Sequence, residues 1–307
     1  MNKIIKAHIA LFSANLIFGL NYVIAKGIMP DYLQPKAIIF IRTFMAAIVF
    51  WMFHSFFIKE KVQKKDILKL ALCAACGVAF NQILFFEGLN LTTAINSSLI
   101  FTSTPIIVLV LSIFLLRETI TKNKIIGLIL GLGGAIILIL NEGKISFESD
   151  TFVGNLLTII AGTSYSIYLV LIKPLALKYK PITLLKWLFL FGFLLASPFC
   201  FNDFLETNWE FIPLNIWLSI LYVVFGTTII AYLLNNYSLR TLSPTVVSAY
   251  IYSQPIIATI IAMVYRGEKL FINNIIAGIL IFIGIYFVGI KKNHKKPPAY
   301  EIKSKIK

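Results

Sequence analysis

The sequence predicts an all-α integral membrane protein whose ten transmembrane helices form two inverted five-helix repeats. Three observations carry that prediction. Of the 307 residues, 59% are hydrophobic and only 13% are charged, whereas a soluble domain usually carries about a quarter charged residues. The basic residues crowd into alternate connecting segments. The chain also matches itself at an offset of about 150 residues.

A span needs about 20 mainly apolar residues. Ten runs qualify, at about 8–28, 36–57, 67–87, 95–116, 123–140, 153–173, 183–201, 214–236, 245–265 and 273–290. Each should be helical, because backbone groups in lipid must bond within the segment.

The first run follows Lys3 and Lys6 and holds Asn15, Asn21 and Lys26. Its length and polar content read as a retained span rather than a signal peptide. Asn15, Gly19, Tyr22 and Lys26 share one helical face. That stripe suits either a cavity wall or close helix packing. Lys26 lies near the helix end and is expected to snorkel to the interface. In the second run, Arg42 lies about a turn inside the outer end. A central arginine costs roughly 2.5–3.5 kcal/mol on insertion scales. Arg42 is expected to pair with Glu87 or Asp31, attraction of an anionic group being the other reading.

The third run carries Cys73 and Cys76, which have no second ligand pair and read as packing residues. It also holds the deep amides Asn81 and Gln82, with Glu87 at its outer end. The fourth is rich in polar groups, from Asn96 and Ser97 to Ser103 and Thr104, and meets Pro105. A proline inside a helix removes one backbone bond and kinks the rod. Nearby hydroxyls can take the freed carbonyl, so these groups read as kink repair or as a hinge beside a polar cavity. The fifth contains Gly127-x-x-x-Gly131, a small-residue packing pattern for the fold or for a dimer.

The sixth run repeats the stripe of the first with Gly162, Ser166, Leu169 and Lys173, and adds Tyr165 and Tyr168. The seventh carries no comparable polar pattern. The eighth holds Asn235 and Asn236. The ninth holds Ser248, Tyr250, Tyr252, Ser253 and Gln254, then Pro255. The tenth carries Gly278, Gly284 and Gly289.

Connecting segments set the orientation. With the N-terminus inside, the outer side receives only Lys26, Lys36, Arg42, Lys144, Arg266 and Lys269 out of 28 basic residues. The two longest outer loops are acidic, with Glu142, Glu148 and Asp150, then Asp203, Glu206 and Glu210. The positive-inside rule therefore puts both termini in the cytoplasm of a bacterial-type inner membrane. Residues 1–144 form the first repeat, 145–152 a periplasmic connection, 153–291 the second repeat and 292–307 a basic tail expected to meet anionic lipid. The net charge of +15 is explained by this topology, not by nucleic acid, for which no motif is present.

The repeat is explicit in the residues. Ser103-Thr104-Pro105-Ile106-Ile107 falls on Ser253-Gln254-Pro255-Ile256-Ile257 at an offset of 150, as Glu118 falls on Glu268 and Gly134 on Gly284. Lys26 falls on Lys173 at an offset of 147. Five spans per copy is an odd number, so the second copy enters the membrane upside down. Inverted repeats of this kind are typical of secondary transporters with a site near the midplane.

There is no G-x-x-x-x-G-K-[ST] loop, which argues against ATP hydrolysis. Glu87, Glu118 and Glu268 lie near helix ends, and no acidic residue lies at the centre of a span. A carboxylate proton relay is not visible, and no cofactor or metal is implied. Clustered acids or histidines, which a membrane-embedded lipid or isoprenoid enzyme would need, are also missing. A passive channel stays as the other alternative.

The run Phe18-Gly19-Leu20-Asn21-Tyr22-Val23-Ile24-Ala25-Lys26 resembles the tryptophan-glycine…lysine signature of EamA-type proteins of the drug/metabolite transporter superfamily. Phe18 replaces the usual tryptophan. Arg42 fits the family's arginine, and Pro105 with Arg117-Glu118 resembles its fourth-helix pattern, with Pro255 and Glu268 as the second copy. The resemblance implies an exporter or facilitator of small metabolites, amino-acid-like ones included, with a cavity lined by helices 1, 3, 4, 6, 8 and 9. Related four-helix multidrug proteins use a glutamate in helix 1. Asn15 lies in that zone here, which favours neutral, zwitterionic or anionic substrates.

These readings combine into an expected site. Asn15, Tyr22, Asn81, Asn96, Ser103, Tyr165, Tyr168, Tyr252 and Gln254 would line the cavity. Pro105 and Pro255 would act as hinges. Lys26, Arg42, Glu87, Glu118 and Glu268 would be structural or gating charges. The expected partners are a small-molecule substrate and membrane lipid, and the sequence sets no oligomeric state.

Overall fold

A computed structural model describes residues 2–142, 149–266 and 272–290. Of the expected connection at 145–152, residues 145–148 lie outside the described residues and 149–152 begin a helix; Glu268 and the basic tail from 292 also lie outside the described residues. Among those described there is no strand, and the fourteen α-helical segments follow the apolar runs.

In the first half, α1 spans Lys3–Ile28 and α2 Pro35–Phe57. Next come α3 (Lys64–Ala74), a π-helical segment (Ala75–Ala79), α4 (Phe80–Leu91), α5 (Ala94–Phe101), α6 (Thr104–Leu116) and α7 (Lys122–Glu142). In the second half, α8 spans Ser149–Lys178 and α9 Pro181–Glu206. After a short 3₁₀ turn come α10 (Leu214–Leu221), a second π-helical segment (Tyr222–Ile230) and α11 (Ala231–Leu239). The half ends with α12 (Pro244–Ala249), a 3₁₀ turn (Tyr250–Tyr252), α13 (Ser253–Arg266) and α14 (Ile272–Gly289).

Six helical stretches among the described residues are long and apolar enough to cross a membrane: Lys3–Ile28, Pro35–Phe57, Lys64–Leu91, Thr151–Lys178, Pro181–Glu206 and Leu214–Leu239. Large apolar side chains also face outward: Phe56 and Phe114 are each 76% exposed and Leu214 is 75% exposed. Water would penalise such a surface, and lipid does not. The chain is a multi-pass integral membrane protein.

Two of the expected spans differ in form. In both the fourth and the ninth run a tighter turn, at Thr102–Ser103 and at Tyr250–Tyr252, divides the run before the proline while the backbone stays in the right-handed helical region. Pro105 and Pro255 stand in the first turns of α6 and α13. A proline there removes a donor that would be unpaired anyway. The turn before each proline is closed in the same way. Ser103 Oγ donates to the Ile100 carbonyl at 2.7 Å, and Ser253 Oγ to the Tyr250 carbonyl at 2.6 Å. Residues 150 apart thus make the same bond, and the hydroxyls repair the break.

Packing interleaves the halves. α1 packs on α11 and α13, while α8 packs on α4 and α6; α2 packs on α9, and α7 on α14. The α7–α14 contact depends on missing side chains. A Cβ on Gly127 would lie 2.5 Å from the Gly284 carbonyl oxygen, and one on Gly134 would lie 2.7 Å from the Ala277 carbonyl oxygen. The Gly127-x-x-x-Gly131 face therefore serves packing inside the fold. Cys73, Cys76 and Cys200 are free thiols, two of them buried.

Matched lysines close matched helix ends. Lys26 Nζ donates to the Leu89 and Asn90 carbonyls at 2.9 and 2.6 Å, in the last turn of α4. Lys173 Nζ donates to the Leu239 and Leu242 carbonyls at 2.6 and 3.0 Å, at the end of α11. The last carbonyls of a helix have no partner within it, and a cation also complements the negative end of the helix dipole. Lys26, expected to snorkel, caps a neighbouring helix end.

Candidate functional site

A cavity lies between helices of both halves. It contains about 640 Å³ free of protein atoms, open space included. Asn15, Phe18, Asn21 and Tyr22 of α1 form one wall. Arg42 comes from α2, and Asn81, Gln82, Phe85 and Phe86 from α4. Phe101 ends α5. Tyr165 and Leu169 of α8, Tyr232 and Asn235 of α11, Val247 of α12, Ile251 and Gln254 complete the lining.

The two π-helical segments aim much of this wall. Tyr232, just past the second π segment, donates its hydroxyl to the Gly77 carbonyl in the first, at 3.0 Å. Gln82 Nε2 donates to the same Tyr232 oxygen at 3.3 Å. These two side chains are 150 apart in sequence, so equivalent positions of the halves touch each other. A π insertion adds a residue to one turn and is frequent at functional sites.

Some cavity amides are consumed by the protein itself. Gln254 Nε2 donates to Asn15 Oδ1 at 2.8 Å, and Asn15 Nδ2 donates to the Leu11 carbonyl at 2.9 Å. That pair ties α1 to α13. The matched contact between the halves is Gly162 beside Thr104, whose Oγ1 lies 3.1 Å from where a Gly162 Cβ would stand. No amide pair exists there, and Thr104 Oγ1 lacks a partner among the described residues. Asn81 Nδ2 donates to the Ala161 carbonyl at 2.9 Å, linking α4 to α8. Asn235 Nδ2 donates to the Tyr165 hydroxyl at 2.9 Å.

Other amide atoms are spare. Asn21 Oδ1, Gln82 Oε1 and Asn235 Oδ1 are buried and accept no bond among the described residues. Their residues are only 5%, 2% and 5% exposed. Buried polar groups are normally paired, so three idle acceptors on one cavity require an explanation.

Arg42 departs from its expected pairing. It is 3% exposed. Its Nε donates to Thr228 Oγ1 at 2.8 Å and its Nη2 to Thr227 Oγ1 at 3.3 Å, both in the second π segment. Its guanidinium lies 4.9 Å from the Phe86 ring centre. Glu87 instead faces Lys36 at 3.8 Å, and Asp31 is exposed.

The match to a family is extensive. The profile of the EamA-like transporter family aligns with residues 5–140 and again with 152–290. The chain belongs to the EamA-like transporter family. EamA proteins fall in the drug/metabolite transporter superfamily and move small molecules across membranes; the family is one of transporters, not enzymes. An uncharacterized transporter of Archaeoglobus fulgidus is 28% identical over 94% of this chain and 99% of its own length. The uncharacterized transporter YetK of Bacillus subtilis is 28% identical over 98% of this chain and 91% of its own. A WAT1-related protein of Arabidopsis thaliana is 20% identical over 91% of this chain and 83% of its own. One solved crystal structure superposes with a TM-score of 0.73 at 17% identity, covering 92% of this chain and 95% of that one; it supports the fold alone.

Against this EamA cavity the expected residues divide. Asn15, Tyr22, Asn81, Tyr165 and Gln254 line it. Tyr168 does not: it is buried beside it and accepts from Asn236 Nδ2 at 2.9 Å. Tyr252 is buried against Gly131 of α7, and Ser103 closes the α5–α6 turn. The Asn96 side chain lies outside the described residues. Glu118 binds Lys124 at 2.6 Å and accepts from the Thr245 hydroxyl at 2.9 Å, an arrangement outside the cavity. Sequence reasoning did not place Asn21, Gln82, Tyr232 and Asn235 on the wall. For Tyr232 a signal existed, because an offset of 150 maps it onto Gln82.

Proposed function

We propose that this EamA-family chain is a secondary carrier that moves a small metabolite by alternating access, as an exporter or facilitator. Ten spans in two inverted repeats, residues 1–144 and 153–291, would rock around the cavity, with both termini in the cytoplasm. The breaks at Pro105 and Pro255 would be the points that bend. One observation carries the reading: an amide- and aromatic-lined cavity sits between interrupted helices of both halves. The double match of the family profile and the shared contacts of Gln82 with Tyr232 support the repeat arrangement.

The test has two stages. Metabolites outside cells with and without the chain are compared to find a substrate. Purified protein in proteoliposomes is then assayed for saturable uptake and counterflow, which a channel lacks. Gln254→Ala and Tyr232→Phe should cut the rate about tenfold or more while the protein remains monodisperse. Wild-type rates in both variants would remove the cavity from the transport path. Uptake without saturation or counterflow would replace the carrier by a channel.

A further inference from the structure

We propose that His54 and Lys186 form a proton-binding site that locks one end of the α2–α9 seam while the imidazole is neutral and releases it when the imidazole takes a proton. The ligand is the proton itself. The site is separate from the cavity and from whatever the cavity holds.

Bond chemistry fixes the resting state. His54 of α2 and Lys186 of α9 are 8% and 9% exposed. Lys186 Nζ lies 3.2 Å from His54 Nδ1, and His54 Nε2 lies 3.1 Å from the Glu60 carbonyl oxygen. An ammonium only donates and a carbonyl only accepts. Nδ1 is therefore the bare acceptor, Nε2 carries the hydrogen, and the ring is neutral. Lys186 pairs with no carboxylate among the described residues. Its Nζ stands 3.9 Å from the Trp51 ring centre and 5.4 Å from that of Trp187. Indole faces suit a cation, so the pocket is built for one positive charge.

Protonation makes it two. A proton from solvent adds to Nδ1, the Lys186 N–H loses its acceptor, and two cations then face each other across 3.2 Å. Like charges that close, and shielded from water, repel strongly. Of the side chains on α2 and the elements packed against it, the charged groups that act on His54 are Lys186 of α9 and Glu60 of the following loop. The Glu60 carboxylate is engaged elsewhere, accepting the Lys180 N–H at 2.9 Å.

The loop that His54 holds is a clasp between the halves. Besides Glu60 with Lys180, the Gln63 N–H donates to the Tyr179 hydroxyl at 3.1 Å, and Lys178 Nζ donates to Gln63 Oε1 at 2.7 Å. The Tyr179 hydroxyl in turn donates to Asp66 Oδ2 at 2.7 Å. Residues 58–63 of the first half are thereby fastened to the α8–α9 turn of the second. The opposite end of the seam has no such switch. His54 falls on Phe204 at an offset of 150. There Phe40 of α2 meets Phe201 and Phe204 of α9, with ring centres 5.6 and 4.6 Å apart. Phenyl rings do not titrate, so acid acts on one end alone. On the charge-based orientation that end is cytoplasmic.

The test uses the full chain in detergent, lacking Cys73, Cys76 and Cys200 and carrying Val62→Cys. Val62 sits in the clasped loop, packed against the core. Its rate of reaction with a maleimide is divided by that of an Asn2→Cys control, which cancels the effect of pH on the thiol. The measurements are made at about pH 7.5 and about pH 5.5, either side of the ordinary histidine value of about 6.5. On acidification the ratio should rise at least about fivefold, the factor that one lost hydrogen bond carries. His54→Gln donates and accepts like the neutral ring but takes no proton, and should hold the ratio at its high-pH value. Lys186→Arg keeps the charge and should keep the response; Lys186→Gln should flatten it. Because the bonded ring is the neutral one, its stabilisation is present above the histidine range and lost as pH falls. The melting temperature should therefore drop over the same interval, and drop less in His54→Gln.

A flat ratio with native His54 overturns the site, as does an equal rise in His54→Gln. Should His54→Gln not fold, the Lys186 variants decide, and equal responses in Lys186→Gln and Lys186→Arg overturn it. None of these outcomes touches the carrier reading, which stands or falls on counterflow.

Discussion

Lys26 and Lys173 occupy matched places in the two halves and make matched bonds, yet their surroundings differ. Lys26 is partly exposed, whereas Lys173 is 3% exposed. Water can replace an ammonium at the first site and not at the second. Lys173→Met should therefore destabilise by about 1–3 kcal/mol, the cost of leaving buried acceptors unpaired, and Lys26→Met by clearly less. Thermal unfolding in detergent compares them; equal losses would contradict the capping account. Residue identity was legible in the sequence for Asn15, Tyr22, Asn81, Tyr165 and Gln254, because deep polar groups need protein or cavity around them. Arg42 was legible as a buried cation and misread as an ion pair with Glu87 or Asp31. Depth along a helix can be counted from sequence, but azimuth cannot. Glu87 points to Lys36, and Arg42 points to the threonines of a helix far away in the chain.

At the level of elements, the π-helical segments explain why the wall was only half identified. Face assignment assumes about 100° per residue without interruption. The segment Ala75–Ala79 directly precedes Asn81 and Gln82, and Tyr222–Ile230 directly precedes Tyr232 and Asn235. Each insertion shifts the helical phase of the residues beyond it. Gln82 and Asn235 thereby carry the spare oxygens, while Asn81 bonds to α8 and Asn236 packs on Tyr168. The proline breaks were legible as irregularities, but a proline reads the same whether it kinks a rod or starts a new one. The glycine contact of α7 with α14 supplies a sharper test. Gly127→Ala would press a methyl onto the Gly284 carbonyl, while the same change at Gly133 meets nothing within 4 Å. Gly127→Ala should cost about 1–3 kcal/mol, as overpacking does, with Gly133→Ala near neutral. Equal unfolding temperatures would mean the two helices can separate freely.

For the molecule as a whole, an all-α, multi-pass membrane architecture was legible from composition and span length alone. The repeat was legible because its polar landmarks, Pro105 with Pro255 and Lys26 with Lys173, survive where apolar residues drift. How the halves interleave was not, since packing α1 on α11 and α8 on α4 depends on surfaces rather than order. Orientation is set by charge. In a background lacking Cys73, Cys76 and Cys200, single cysteines at Asn2 and Ser304 should both resist an impermeant maleimide in intact cells and react after permeabilisation. Labelling of one end alone would break the inverted-repeat scheme.

The lone bond between Gln254 and Asn15 has a bearing on direction. Were the two halves perfect images, their exchange would produce two resting shapes of equal weight. Of the two matched contacts between the halves, one carries this tether and the other offers only Gly162 beside Thr104. A net hydrogen bond of roughly 1 kcal/mol tilts such a balance about fivefold. On the proposed carrier reading, the chain should thus rest with one mouth shut, by default and without any ligand. Gln254→Thr copies the opposite half and should level the two populations. Thiol accessibility from either side of the membrane would register the change.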